Sequence, residues 1–212
     1  MKPLQAIENA ASKIAPGRAP YFIEVHIVKA LLVISSQGPV GRVNLTKALG
    51  LGEGSIRTLI RHLEKAELIK TSREGIVLTG AGKKLVSSVE SVISEAVEVP
   101  QSVLTVGAFN MAILVRSAAG LVRAGLEQRD AAIKVGAQGA TTLVFTNGRL
   151  TMPSASGDVF RNLPKMRDVL ISQLKPEEGD TIVIGSADDR LTAEFGAIAA
   201  ALETLKAHRS EA

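Results

Sequence analysis

The sequence predicts a two-domain protein: an α+β domain built mainly of helices over residues 1–98, followed by an α/β domain with a smaller sheet over residues 99–212. Three observations carry this. The length of 212 residues matches two domains of roughly 100 residues each, and a hydrophobic fraction of 46% with a mean hydropathy of +0.22 excludes a largely disordered chain. The texture changes at Val99-Pro100, from segments of helical period to strands alternating with helices. The charge divides at the same place: residues 1–98 hold 13 Lys and Arg against 9 Asp and Glu, and residues 99–212 hold 12 against 12, so the whole net charge of +4 lies in the first part.

Taken in order, residues 3–14 form a short helix ended by Pro16-Gly17 and Pro20. From Tyr21 to Ile34 the apolar residues Phe22, Val25, Ile27, Val28, Leu31, Leu32 and Ile34 make a wide stripe at helical spacing, which reads as a buried helix. Val43 is expected as a single-residue strand, with Asn44 capping a short helix over 45–49. After the turn Gly50-Leu51-Gly52, a helix runs from about Glu53 to Ala66 and turns Ile56, Leu59, Ile60 and Leu63 inward. Its other face carries Ser55, Arg57, Thr58, Arg61, His62 and Lys65. Strands at 68–72 and 76–78 flank the turn Arg73-Glu74-Gly75, where Gly is free to take a positive φ. Thr79 then caps a helix from Gly80 to Ala96 with a stripe of Leu85, Val86, Val89, Val92, Ile93 and Ala96.

This order of parts resembles a winged helix-turn-helix DNA-binding domain, on the segments 45–57, 63–69 and 76–82. The resemblance covers about residues 20–96 and implies that the helix from 53 to 66 enters the major groove while the wing over 69–78 approaches the backbone or the minor groove. It implies DNA contacts for Ser55, Arg57, Thr58, Arg61, His62, Lys65, Lys70 and Arg73. Two positions depart from the usual pattern: Gly52 stands where a Ser or Thr cap is common, and Glu67 stands where the helix commonly ends on a Gly.

Charge and composition favour duplex DNA as the partner. Between Arg42 and Lys84 nine bases face four acids, the footprint of a phosphate-binding surface. Guanidinium groups pair with phosphate or with guanine edges. Six aromatic residues in all are too few for a stacking platform that grips single strands. The chain has no cysteine, which excludes disulfides, thiolate catalysis and cysteine-ligated metal sites. Gly80-Ala81-Gly82-Lys83-Lys84 fails the phosphate-loop pattern, because Val77 replaces its first Gly and Lys84 the following Ser or Thr. His26, His62 and His208 have no partner at metal-ligand spacing. No apolar run reaches the length of a membrane span, and the expected setting is the cytoplasm.

In the second half, strands are expected at 102–107, 111–116, 141–146 and 149–152, the last two joined by the hairpin turn Asn147-Gly148. A further strand is expected at 180–184, with helices at 126–137, 158–174 and from 190 to about 207. Two ligand-site hypotheses arise. One joins Gln128, Arg129 and Asp130 to the run of small residues from 136 to 142, with Gln138 and Thr141. The other is the turn Ser186, Asp188 and Asp189 at the carboxyl end of a strand, where open α/β sheets bind ligands; there the two aspartates could instead cap the last helix. The whole arrangement resembles a group of archaeal two-domain proteins, a winged helix joined to an α/β domain of unknown role, on Arg129-Asp130 and Gly139-Ala140-Thr141-Thr142. The expected function is a ligand-responsive, homodimeric transcriptional regulator rather than an enzyme, with double-stranded DNA and a small-molecule effector as partners. No cofactor is indicated. The alternatives are an enzyme in the C-terminal domain, using Asp130, Asp188 and Asp189 without a spacing that fixes a reaction, and a winged helix used for protein contacts.

Overall fold

The computed structural model describes residues 3–12, 21–153, 155 and 157–210. The expected break at Pro16, Gly17 and Pro20 lies outside the described residues, as does the side chain of His208. The chain divides into two compact units, Met1–Val89 and Glu90–Ala212.

The first unit contains α1 (Pro3–Ala11), α2 (Glu24–Gln37), α3 (Arg42–Leu49), α4 (Glu53–Lys65), β1 (Ile69–Thr71), β2 (Ile76–Leu78) and α5 (Gly80–Glu90). Half of α2 is buried, from Val25 to Ile34, which makes it the central helix. Leu45 and Leu49 of α3, and Ile56, Leu59 and Leu63 of α4, complete the core; each such side chain contributes about 1.5–3 kcal/mol by leaving water. The expected strand at Val43 is instead the first turn of α3, whose N-cap is Gly41 rather than Asn44. The strand position belongs to Val40, whose N–H and carbonyl exchange hydrogen bonds of 2.9 Å with Ile76. In this way β2 gains a neighbour on its second edge. β1 and β2 pair antiparallel from Ile69↔Leu78 to Thr71↔Ile76, and Gly75 closes their turn at φ 137.

Both departures from the usual winged-helix pattern are seen in the backbone. Gly52 is the N-cap of α4, and Glu67 takes φ 57, a left-handed conformation that costs a non-glycine residue about 1 kcal/mol. Thr79 holds the junction: its hydroxyl donates to the Glu67 carbonyl at 2.5 Å and accepts from the Gly82 N–H at 3.0 Å. α5 stops at Glu90, short of the expected Ala96. The β-branched residues that follow join a sheet edge instead, Ile93 bridging Val115 and the Ser94 N–H donating to the Leu114 carbonyl. Residues 90–98 therefore pack with the second unit, and the stripe Leu85, Val86, Val89 and Ile93 is buried within the chain.

The second unit contains β3 (Val97–Glu98), β4 (Phe109–Val115), α6 (Leu126–Lys134), β5 (Gly139–Thr146), β6 (Arg149–Thr151), α7 (Pro164–Leu174), β7 (Thr181–Ala187) and α8 (Arg190–Ser210). The strands form one sheet in the order β3-β4-β7-β5-β6 with every pairing antiparallel. Because β7 runs against both β4 and β5, those two are parallel to each other with the last strand inserted between them, a split βαβ arrangement. Ala112, Leu114, Leu143, Ile182 and Ile184 face Met166, Leu170 and Leu174 of α7. Buried alanines of α8, including Ala193, Ala197 and Ala200, allow that helix to lie close on the opposite face.

Several expectations for this unit differ. No strand forms at 102–107, because the Ser102 and Thr105 side chains bond the backbone around them, Thr105 Oγ1 accepting from the Ser102 N–H at 2.9 Å and Ser102 Oγ from the Leu104 N–H at 3.2 Å. Such bonds compete with a strand ladder. The helix expected from Asp158 begins at Pro164: proline disfavours helical geometry in the residue before it and suits the first turn itself. The helix expected over 126–137 ends at Lys134. Asn147 and Gly148 both adopt positive φ, 53 and 69, as the expected two-residue hairpin turn requires.

Candidate nucleic-acid interface

The inward stripe of α4 is Ile56, Leu59, Ile60, His62 and Leu63. Arg57, Arg61, Glu64 and Lys65 are therefore turned to solvent, with Ser55 and Thr58 partly covered between the faces. Thr58 donates its hydroxyl to the Gly54 carbonyl at 3.1 Å, which leaves the oxygen's lone pairs for an incoming donor. Lys70 and Arg73 are exposed on β1 and the wing turn. The tip is held tightly, with the Ser72 N–H and hydroxyl both donating to the Gly75 carbonyl. Thr71 Oγ1 donates to Glu64 Oε1 at 2.6 Å, so the first wing strand is tied to α4.

A cleft of about 490 Å³ beside this helix is lined by Arg42, Arg57, Thr58, Arg61, Glu64 and Thr71, among others. The structure thus brings Arg57, Thr58 and Arg61 together as expected and adds Arg42, which the misplaced start of α3 concealed. The expectation for His62 is corrected. It is 5% exposed, its Nδ1 lies 3.1 Å from the Ala10 carbonyl, and its ring meets Phe22 edge-on with centroids 5.0 Å apart. Its place in the sequence, three residues after Leu59 and one before Leu63, already puts it inside the apolar stripe. His62 ties α1 to α4 and cannot reach a ligand outside the domain.

The ligand residues expected in the second unit are not gathered into one site. Ser186 is buried, donating to Asn110 Oδ1 at 2.7 Å, while Asn110 Nδ2 donates to the Gly107 carbonyl at 3.1 Å; a ligand role for Ser186 is corrected to an internal one. Thr141 donates its hydroxyl to the Leu104 carbonyl at 2.5 Å. Gln138 Nε2 donates to Asp188 Oδ1 at 2.7 Å. Asp189 caps α8, accepting from the Thr192 hydroxyl at 2.7 Å and N–H at 2.9 Å, and these bonds hold its carboxyl below the usual carboxylate range. Arg129 and Asp130 lie on the solvent side of α6, whose buried side is Gln128 and Ala132. The second hypothesis also loses its premise, since the carboxyl end of β7 lies between antiparallel neighbours rather than on the rim of a parallel sheet. Gln128, which the first hypothesis included, lines a cleft of about 360 Å³ between α6 and α8; what sequence reasoning missed is that it is buried on the opposite side of α6 from Arg129 and Asp130. A polar residue in the one buried row of α6 was the available signal.

Two family models match separate parts of the chain. Residues 27–93 match the family model of the CggR N-terminal DNA binding domain, and residues 106–205 match that of a domain of unknown function, DUF4443. No curated protein matches the chain significantly. Among solved structures, the hypothetical protein PH0730 from Pyrococcus horikoshii OT3 is similar over 86% of this chain and 98% of its own, at 27% identity and a TM-score of 0.63. Fold, exposed cations and these matches define a two-domain DNA-binding regulator: a winged helix-turn-helix domain followed by an α+β domain of unknown function. Among the described residues no helix is long and apolar enough to cross a membrane, and no cluster of three His, Asp or Glu side chains could hold a metal ion.

Proposed function

We propose that the chain is an effector-responsive transcriptional regulator that reads duplex DNA as a homodimer. The observation that carries the reading is the single exposed set of Arg42, Arg57, Arg61 and Lys65 on and beside α4, flanked by Lys70 and Arg73 of the wing. An α-helix presenting guanidinium groups fits the major groove, where Arg pairs bidentately with guanine, and the wing cations meet phosphates, which fix register without reading sequence. Ser55 and Thr58 add hydroxyls near the helix start. The 490 Å³ cleft gives the surface concave relief against which a phosphate strand can lie. Dimerisation places two such helices about 34–36 Å apart on successive major grooves. The buried α5 stripe cannot supply that interface, whereas Val103 and Val106 of the second unit are exposed apolar side chains suited to self-association. The second unit then senses an effector and alters the spacing or population of DNA-competent dimers.

Fluorescence anisotropy of the full chain on duplex fragments from upstream of its own gene tests this. Six cations per chain neutralising six phosphates give a slope of log K against log salt of about −5 per bound domain. An affinity that is flat in salt, or equal preference for single strands, overturns the assignment.

A further inference from the structure

The second unit holds a cleft of about 360 Å³ between the start of α6 and the last turns of α8, within the range of small-molecule sites. Gln128 lines it and is 2% exposed, and its Oε1 has no hydrogen-bond partner. Immediately beneath the helix start, Thr142 is also buried with an unpartnered hydroxyl oxygen; a Cβ placed on Gly125 would lie 3.1 Å from that oxygen. Native interiors rarely leave such groups unsatisfied. Two such groups single out this end of α6, and of the two Gln128 is the one that lines the cleft.

The walls state the chemistry an occupant needs. Arg123 and Lys206 supply cationic groups and Glu127 and Glu203 carboxylates, so the cleft is charge-balanced and takes neither a bare anion nor a bare cation as its best occupant. The N-cap of α6 is Gly125, which has no side chain to bond the first-turn N–H groups; those groups and the helix dipole favour a negative charge. Gln128 offers an acceptor for an N–H donor, reached by a turn about its terminal bond, which is soft. Leu121 and Ala207 leave an apolar strip at the rim.

We infer that this cleft binds a free α-amino acid, its carboxylate on Arg123, Lys206 and the α6 amides, and its ammonium between Gln128 Oε1 and the two glutamates. The inference rests on the effector-responsive reading above and supplies its ligand class. Binding to the folded chain alone stabilises it by mass action.

The test is differential scanning fluorimetry of the full chain against the twenty L-amino acids singly, with acetate and methylamine as half-ligand controls. The expected result is a rise in Tm of roughly 3–6 °C for at least one amino acid at ten times its Kd, and none for either control. Gln128→Leu should melt no lower than wild type without ligand, because it removes an unpaired acceptor, and should lose the shift. Arg123→Met and Lys206→Met should each weaken binding about tenfold or more by calorimetry. No response to any amino acid, or an undiminished response in Gln128→Leu, overturns the inference. DNA affinity is measured on the same samples without ligand: its presence without an amino-acid response refutes this site alone, and its absence refutes the regulator reading.

Discussion

Arg61 and His62 are neighbours in sequence that the fold sends to opposite sides of α4, so their substitutions should give opposite phenotypes. Arg61 is exposed and lines the cleft with Arg42 and Arg57. Its replacement by Ala removes one phosphate or guanine contact, lowering the magnitude of the salt slope by about 0.9 and the affinity at physiological salt roughly tenfold, with stability within about 0.5 kcal/mol of wild type. His62 is buried against Phe22 and within 3.1 Å of the Ala10 carbonyl. Its truncation to Ala opens a cavity and leaves that carbonyl without its partner, a loss of roughly 3–5 kcal/mol. The salt slope should be unchanged in His62→Ala, because it counts released counterions and is insensitive to a constant fraction of unfolded protein. Urea unfolding followed by far-ultraviolet circular dichroism reads the first quantity, and anisotropy at four or five salt concentrations reads the second. A His62→Ala protein with a normal urea midpoint and a reduced slope would refute the orientation of α4, and an Arg61→Ala protein with both quantities unchanged would refute the interface.

Glu67→Gly should stabilise the first unit by about 0.5–1 kcal/mol, since Gly relieves the left-handed strain at φ 57 at a smaller cost in unfolded-chain entropy; a lower urea midpoint would contradict it. Gly185→Ala should destabilise the second unit by at least about 3 kcal/mol, because the added Cβ would run into the backbone of α8 at Ala193, Gly196 and Ala197, where no side chain can yield; thermal melting with an unchanged midpoint would show that α8 does not lie so close. His26 has its pKa lowered from 6.5 mainly by burial, against a smaller opposing effect of a backbone hydrogen bond at Ile23. The unfolded chain then takes up the proton first as pH falls through about 6.5, so stability declines from there down to the folded pKa and levels below it. His26→Gln should flatten that decline, and urea midpoints measured from pH 7.5 to 5 check the sign.

The first unit was legible because its signals are local. The spacing of Ile56, Leu59, Ile60 and Leu63, the Thr79 cap and the Arg73-Glu74-Gly75 turn each act over a few residues, and each survives in the structure. The errors there, Val43 and Asn44, came from a helix start whose N-cap is Gly41, a residue without a side-chain signature. His62 was misread by chemistry: its polarity outweighed its position in the apolar row. In the second unit the order of elements was legible and the pairing was not. Thr181–Ala187 is buried throughout, the pattern of a strand covered on both faces, which is usual in parallel sheets. Here an antiparallel central strand is covered by α7 on one face and α8 on the other, so burial alone carried no information about direction.

That difference in direction decides where a ligand can sit. In an open parallel sheet the carboxyl ends of the strands share one edge and the helices that follow open their N-termini onto it. With β7 inserted against β4 and β5, no such shared edge forms, and the residues expected there are consumed locally: Ser186 by Asn110, Asp189 by Thr192, Gln138 by Asp188. Among the described residues, buried side-chain oxygens without a protein partner lie on Gln128 and Thr142 at the start of the covering helix α6, and on Thr181 at the start of β7. Gln128 and Thr142 both fall in segments the sequence singled out, Gln128 beside Arg129-Asp130 and Thr142 at the end of the small-residue run, and Gln128 shares a helical row with Ala132. A ligand held there would touch both α6 and α8, and α8 packs along β4 and β7, the strands at the centre of the sheet. On the proposed reading, an effector between those helices would bias the packing of the whole second unit rather than a surface loop.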